Sequence, residues 1–170
     1  VTSATATVDA MGEWLVSLPA RKGSYTAYTI IVKENGVARK QLNNVLVGEL
    51  WLAAGQSNME YRLDWEIGGA EEMANANDTY MRILYMVGDP IGSSGIPVEP
   101  ARYDIDGANW LDASKGANIA GVSSNGYYAA KIMREKLNVP VGIINAALGS
   151  TNIQTWLSRE IIDGNEMVKS

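Results

Sequence analysis

Histidine, cysteine and phenylalanine are missing from this 170-residue chain. Without imidazole or thiol, the sequence cannot hold a self-contained Ser-His-Asp triad, a cysteine nucleophile, a disulfide or a His/Cys zinc site. Carboxylate, hydroxyl, amide, lysine and backbone groups remain for chemistry. Clustered positive charge is missing too. Lys and Arg number 14 against 19 Asp and Glu, a net charge of −5. The densest basic stretches, Arg21-Lys22 and residues 131–136, are short, and Glu135 interrupts the second. That balance argues against a nucleic-acid binder, whose affinity rests on grouped Lys and Arg. No apolar run approaches the roughly 20 residues that span a bilayer as a helix, so no membrane span is expected. The chain opens at Val1 without an initiator Met or a signal-peptide pattern, as a processed or trimmed product would. Apolar material is ample: 46% of residues against 19% charged. That is enough for a packed core and too much for wholesale disorder.

Strand patterns fill residues 1–44. Trp14, Val16 and Leu18 alternate with Glu13 and Ser17, the period of a half-buried strand. Residues 25–33 are rich in Tyr, Thr and Ile, types that pack on a pleated surface. They run into Asn35-Gly36, a strong hairpin signal, which predicts a return strand over 37–42. Residues 45–54 are almost continuously apolar and end at Gly55, which predicts a strand buried on both faces of a parallel sheet. Residues 82–87 and 141–147 predict two more strands. Between them, Ala129, Ile132, Met133 and Leu137 form one apolar stripe and predict a helix over 126–137. Ile153, Trp156, Leu157 and Ile161 repeat that spacing. The alternation predicts an α/β fold with right-handed crossovers and a doubly wound sheet. Residues 88–122 lack a clear period and predict a long loop of the kind that borders binding surfaces. A three-strand parallel sheet leaves an apolar edge unpaired, so the chain is expected to need a complementary chain or self-association to cover it.

Ligands of open α/β sheets sit beyond the carboxyl ends of the strands. Gly55-Gln56-Ser57-Asn58 and Leu148-Gly149-Ser150-Thr151 emerge there, and Ser123-Ser124-Asn125-Gly126 opens the helix. Glycine allows sharp turns and close backbone approach, and a Ser at a helix start sits where an oxyanion would be stabilised. Ser57 and Glu60 also fit a capping box, and on local pattern alone that reading takes precedence. Gly126 reads equally as a helix-entry glycine, and Ser150 and Thr151 as N-caps.

In context these pieces resemble the sialate O-acetylesterase family of SGNH-type carbohydrate esterases. Residues 45–51 running into Ser57-Asn58-Met59-Glu60 look like its nucleophile segment. Gly12-Glu13-Trp14 and Leu18-Pro19 resemble the end of a preceding β-sandwich, and Arg82-Ile83-Leu84 the second sheet strand. Residues 123–129 are similar to the family's Ser-Ala-Val-Gly-Tyr-Tyr helix entry, and Pro140-Val141-Gly142 through Trp156 to its Pro-Val-Gly…Trp-Gly-Gly-Thr…Trp segment. The resemblance implies an incomplete SGNH-hydrolase (flavodoxin-like) parallel sheet with helices on both faces over residues 45–170, preceded by β-sandwich strands over 1–44.

The resemblance also implies roles. Ser57 matches the nucleophile that attacks an acetyl ester, with its own N–H and that of Gly126 as oxyanion donors. Gln56 and Asn58 flank it, Gly149, Ser150 and Thr151 line the same rim, and Trp110 could pack against a sugar ring. The substrate class is acetylated carbohydrate, such as sialic acid or acetylated polysaccharide. No metal or organic cofactor takes part, and the setting would be secreted, periplasmic or lysosomal.

Departures accompany the match. Leu148-Gly149-Ser150-Thr151 stands for Trp-Gly-Gly-Thr, and Ser124-Asn125 for Ala-Val. The family's Gln-Gly-Glu-Ser segment and C-terminal Asp-x-x-His, the source of the general base, do not occur here. Nothing places Lys115, Lys131 or Lys136 beside Ser57. A serine without a base is a weak nucleophile, so the base is expected from a missing C-terminal part or a complementary chain. The rival reading is a non-catalytic carbohydrate-binding or self-assembling structural protein derived from the same fold.

Overall fold

A computed structural model describes residues 2–86 and 109–169. An antiparallel hairpin leads into a mixed α/β unit, a four-stranded and mostly parallel sheet flanked by helices. The hairpin pairs β1 (Ser24–Glu34) with β2 (Val37–Val47). Its turn residues Asn35 and Gly36 both take positive φ, 49° and 84°, the backbone that an Asn-Gly turn tolerates and that matches strand twist. The strand predicted through Trp14, Val16 and Leu18 does not form, and Trp14 and Leu18 are exposed. Alternation supplies no hydrogen-bonding partner, and among the described residues the hairpin sheet contains β1 and β2 alone.

A single residue, Gly48, separates β2 from β3 (Glu49–Gly55). The strand expected over 45–54 is therefore split. A Cβ on Gly48 would collide with the Pro140 carbonyl oxygen, which accepts the Glu49 N–H at 2.9 Å. The chain continues through α1 (Ser57–Glu60), a 3-10 turn at Leu63–Trp65, α2 (Gly69–Ala74) and β4 (Asp78–Tyr85). Val87 and most of the predicted loop, residues 88–108, lie outside the described residues. The rest of that loop is ordered as β5 (Trp110–Ala113) and α3 (Gly116–Ile119). Then follow α4 (Ser124–Leu137), β6 (Val141–Ala147), a 3-10 turn at Ile153–Trp156, α5 (Arg159–Gly164) and α6 (Glu166–Lys169). The single helix implied by the 153–161 stripe is broken where the Ser158 hydroxyl caps α5. Ile153 and Ile161 are exposed.

The sheet order is β3-β6-β4-β5, with β3, β6 and β4 parallel and β5 antiparallel to β4. On one face Ala53, Met81, Ile83, Val141 and Ile143 are buried together with Leu63, Ile119, Val122, Tyr127 and Ala130. The buried side of α4 is thus Tyr127 and Ala130, with Met133 partly buried; Ala129, Ile132 and Leu137 of the predicted stripe are exposed. Polar anchors that an apolar pattern ignores set this rotation. Tyr127 donates its hydroxyl to Glu72, Lys131 pairs with Glu72 at 2.7 Å, and Arg134 pairs with Asp78 at 2.8 Å.

The second face is different. Leu50, Leu52 and Trp110 are exposed, and among the described residues the turn Ile153–Trp156 borders this face at its carboxyl end, beside Ala54. The expected burial of residues 45–54 on both faces fails because, among the described residues, no helix packs over Leu50 and Leu52, whereas α4 packs over Ala53. Arg134 also docks the hairpin: it donates to the Tyr25 hydroxyl at 2.8 Å and lies over the rings of Tyr25 and Tyr80. Among the described residues, no helix is long and apolar enough to cross a membrane.

Candidate functional site

The parallel pairing of β3 with β6 brings two strand ends together, Gly55 opposite Ala147. Beyond Gly55 (φ 149°) the chain turns into α1, whose first residue is Ser57. The capping box does not form. Gln56 occupies the N-cap position without a side-chain cap bond, and its carbonyl accepts the Met59 and Glu60 amides at 2.9 Å. Ser57 is exposed, and its hydroxyl makes no hydrogen bond among the described residues. Glu60 turns away from its own helix start and accepts the Gly149 N–H at 2.7 Å.

The turn after β6 is therefore held against the nucleophile turn at several points. Leu148 N–H donates to the Gly55 carbonyl at 2.9 Å, and the Gln56 side-chain amide donates to the Thr151 carbonyl. Buried Thr151 donates its hydroxyl to the Leu148 carbonyl at 2.8 Å and accepts from Trp156 Nε1 at 3.0 Å. It does not cap; Asn152 is the N-cap of the following turn. Ser150 is exposed with φ 61°. A Cβ on Gly149 would run into Glu60 Oε2 and lie 3.4 Å from Ser57 Oγ, so the turn approaches the serine this closely only as glycine.

Gly126 lies behind this rim. A Cβ there would stand 3.1 Å from Ala53 Cβ, so the glycine lets α4 approach β3 closely. Its N–H donates to Ser123 Oγ, the N-cap of α4, at 3.1 Å. The Ser123 hydroxyl in turn donates to Met59 Sδ, and the Ser123 amide donates to Asn145 Oδ1 at 3.0 Å. The Asn125 side chain donates to the Asn58 carbonyl at 2.9 Å and ties α4 to α1.

Gln56, Ser57, Asn58, Gly149, Ser150 and Thr151 thus meet at one rim, whereas Trp110 stands apart. Its ring and Leu50 lie over Gly142 on the exposed sheet face, where a Cβ would be 3.4 Å from the indole. The aromatic beside the rim is Trp156, which sequence reading placed on a helix stripe. A cleft of about 460 Å³ is lined by Gln56, Thr151, Asn152, Ile153 and Trp156. The signal for Trp156 was its place five residues after Thr151, at the end of a strand-exit turn.

A second cleft, about 380 Å³, opens between α2, α4 and β1. Four of its charged side chains pair, Glu72 with Lys131 and Asp78 with Arg134, and Glu135 also lines it. The hydrogen bond from Lys131 holds the Glu72 carboxyl below its usual range, against the opposing effect of burial. Lys131 is thereby engaged away from Ser57. Burial raises the Tyr85 phenol to about 12, and its hydroxyl donates to the Asn118 carbonyl at 2.9 Å. Among the described residues, no group of three or more acidic, His or Cys side chains is placed to hold a metal.

The profile of the carbohydrate esterase, sialic acid-specific acetylesterase family matches residues 47–170. The chain is similar to the sialate O-acetylesterase of Rattus norvegicus, 23% identical over 157 residues, covering 88% of this chain and 28% of that protein. The Mus musculus sialate O-acetylesterase is 21% identical over 131 residues, covering 72% of this chain and 23% of its own length. The crystal structure of a carbohydrate acetylesterase from Xanthomonas citri superposes with a TM-score of 0.76 at 33% identity, over 93% of this chain and 34% of that one. The chain thus spans between 23% and 34% of the length of these relatives. With the family profile matching most of its length and its fold shared with a carbohydrate acetylesterase at 33% identity, this chain belongs to the carbohydrate esterase family of sialic acid-specific acetylesterases.

Proposed function

We propose that this chain carries the nucleophile half of a carbohydrate O-acetylesterase. Ser57 Oγ attacks the carbonyl carbon of an O-acetyl ester, the Oγ proton passes to a base, and the sugar hydroxyl leaves with a proton. Water then cleaves acetyl-Ser57 to release acetate and restore the serine. The Ser57 amide stabilises the developing oxyanion. Gly126 takes the same role once its N–H exchanges Ser123 Oγ for the substrate oxygen. The sugar, sialic acid or an acetylated polysaccharide unit, lies along the rim of Gln56, Asn58, Gly149, Ser150 and Thr151, with Trp156 rather than Trp110 as its aromatic neighbour. No imidazole occurs among the 170 residues. The base and its carboxylate are therefore assigned to an Asp-x-x-His segment beyond these residues, on the same or a complementary chain.

One observation carries this reading: the Ser57 hydroxyl caps nothing and stands open beside Gly149. Acetyl-ester hydrolysis is measured with wild type and Ser57→Ala, each combined with a polypeptide carrying the Asp-x-x-His segment. Wild type is expected to turn over and Ser57→Ala to fall to background. Its unfolding free energy should stay within about 0.5 kcal/mol of wild type, as for a surface change that breaks no bond. Equal rates, or a cap-like loss of about 1 kcal/mol, would overturn the assignment. The exposed face of Leu50, Leu52 and Trp110 favours a second reading, an associating carbohydrate-binding protein. Sugar binding that survives Ser57→Ala, without hydrolysis in any combination, would select it.

A further inference from the structure

We propose that Glu60 is a positioning residue: its carboxylate holds the 148–151 turn against Ser57 and so sets the wall beside which an acyl group on Ser57 must fit. The inference rests on Ser57 being the nucleophile. The ends of the turn have other ties, Leu148 to the Gly55 carbonyl and Thr151 to Gln56. The middle differs. Glu60 Oε2 holds the Gly149 amide at 2.7 Å, and the exposed Ser150 that follows sits at φ 61°. A non-glycine residue in the left-handed region is held there by its surroundings and relaxes when they are removed. Release of the Gly149 amide therefore lets the turn move away from Ser57.

The bond is the kind suited to this task. An ionised carboxylate accepting an amide N–H makes a shorter and stronger hydrogen bond than a neutral pair. Glu60 has no competing duty at the start of α1, where the Gln56 carbonyl accepts the local amides. The contact spans 89 residues of sequence and joins the helix bearing the nucleophile to the strand exit beside it. Gly149 completes the fit, since a Cβ would strike the same Oε2 and crowd Ser57 Oγ.

The test compares Glu60→Ala, which removes the acceptor, with Glu60→Gln, which keeps an oxygen in the same place. Two measurements are made. The first is acetyl-ester hydrolysis by the 170-residue chain combined with the Asp-x-x-His polypeptide. Displacement of a reacting group by about 1 Å lowers rates on the order of 100-fold. Glu60→Ala should therefore lower kcat by about 10- to 100-fold with KM little changed, and Glu60→Gln should restore most of the rate. The second is hydrogen exchange of the Gly149 amide in the 170-residue chain. It should be slow in wild type and Glu60→Gln and faster in Glu60→Ala, while the Leu148 amide stays protected in all three.

Wild-type kcat in Glu60→Ala, or Gly149 exchange indifferent to the substitution, would overturn the inference. Loss of Leu148 protection together with Gly149 would also overturn it, since Glu60 would then be a general structural support. If the exchange pattern holds and wild type itself hydrolyses no acetyl ester, the esterase reading fails while the hold of Glu60 on the turn stands.

Discussion

Leu52 and Ala53 are neighbours on one strand and point to opposite faces of one sheet. The larger, more apolar leucine is 62% exposed and the alanine 5%. Ala53 lies under Gly126 of α4 in the contiguous core, whereas Leu52, Leu50 and Trp110 share a face that, among the described residues, no helix covers along its length. Burial in this sheet follows the element on top, with the apolarity of the strand second. The same comparison separates the chemistry. The covered face ends at the helix entry of Ser123 and Gly126, the open face at the cleft of Trp156, and Ser57 stands at the strand end between them.

The sharpest way to break this comparison is to shorten one side chain on each face. Ile143→Ala removes a buried side chain from the covered face and should cost about 2–5 kcal/mol of unfolding free energy in a denaturant titration. Next comes Ser123→Ala, which removes the cap of the helix that does the covering; a loss of about 1 kcal/mol is expected in the same titration.

Lys131→Met is smaller and depends on pH. The folded-state pKa of Glu72 is depressed, first by the Lys131 hydrogen bond. Its stabilisation is therefore present above the unfolded carboxyl value and lost as pH falls through the folded one. The half-exposed pair is worth about 0.5 kcal/mol at pH 7. The difference between wild type and variant should fade below about pH 4 and shrink in high salt. Leu52→Ala is the smallest, within about 0.5 kcal/mol. A loss at Leu52 equal to that at Ile143 would mean that both faces are covered in solution.

Local signals were legible where chemistry along the chain decides the outcome. Asn35-Gly36 formed its hairpin, residues 141–147 formed β6, and the glycine-bounded serine turn reached the strand exit with the 148–151 turn beside it. Illegible were features set by partners distant in sequence. The rotation of α4 depends on Glu72 and Asp78, more than 50 residues away, so Ile132 and Leu137 are exposed despite their spacing. Glu60 matched a capping box at i+3, yet its acceptor role is toward a residue 89 positions on. The exposure of Leu50 and Leu52 on β3 reflects which face the helices pack on, which the apolarity of the strand does not encode. Trp14, Val16 and Leu18 alternate correctly, but among the described residues no strand pairs with them.

Gly48 has a mechanical consequence. Between the last paired residue of the hairpin and the first of the parallel sheet there is one residue, and its α-carbon rests on the Pro140 carbonyl. Such a junction has no spare residue: a hairpin that swung away from the sheet would have to give up the Glu49 bond to the Pro140 carbonyl. The hairpin and the parallel sheet are thus anchored to one another at the Pro140 carbonyl, beside the start of β6.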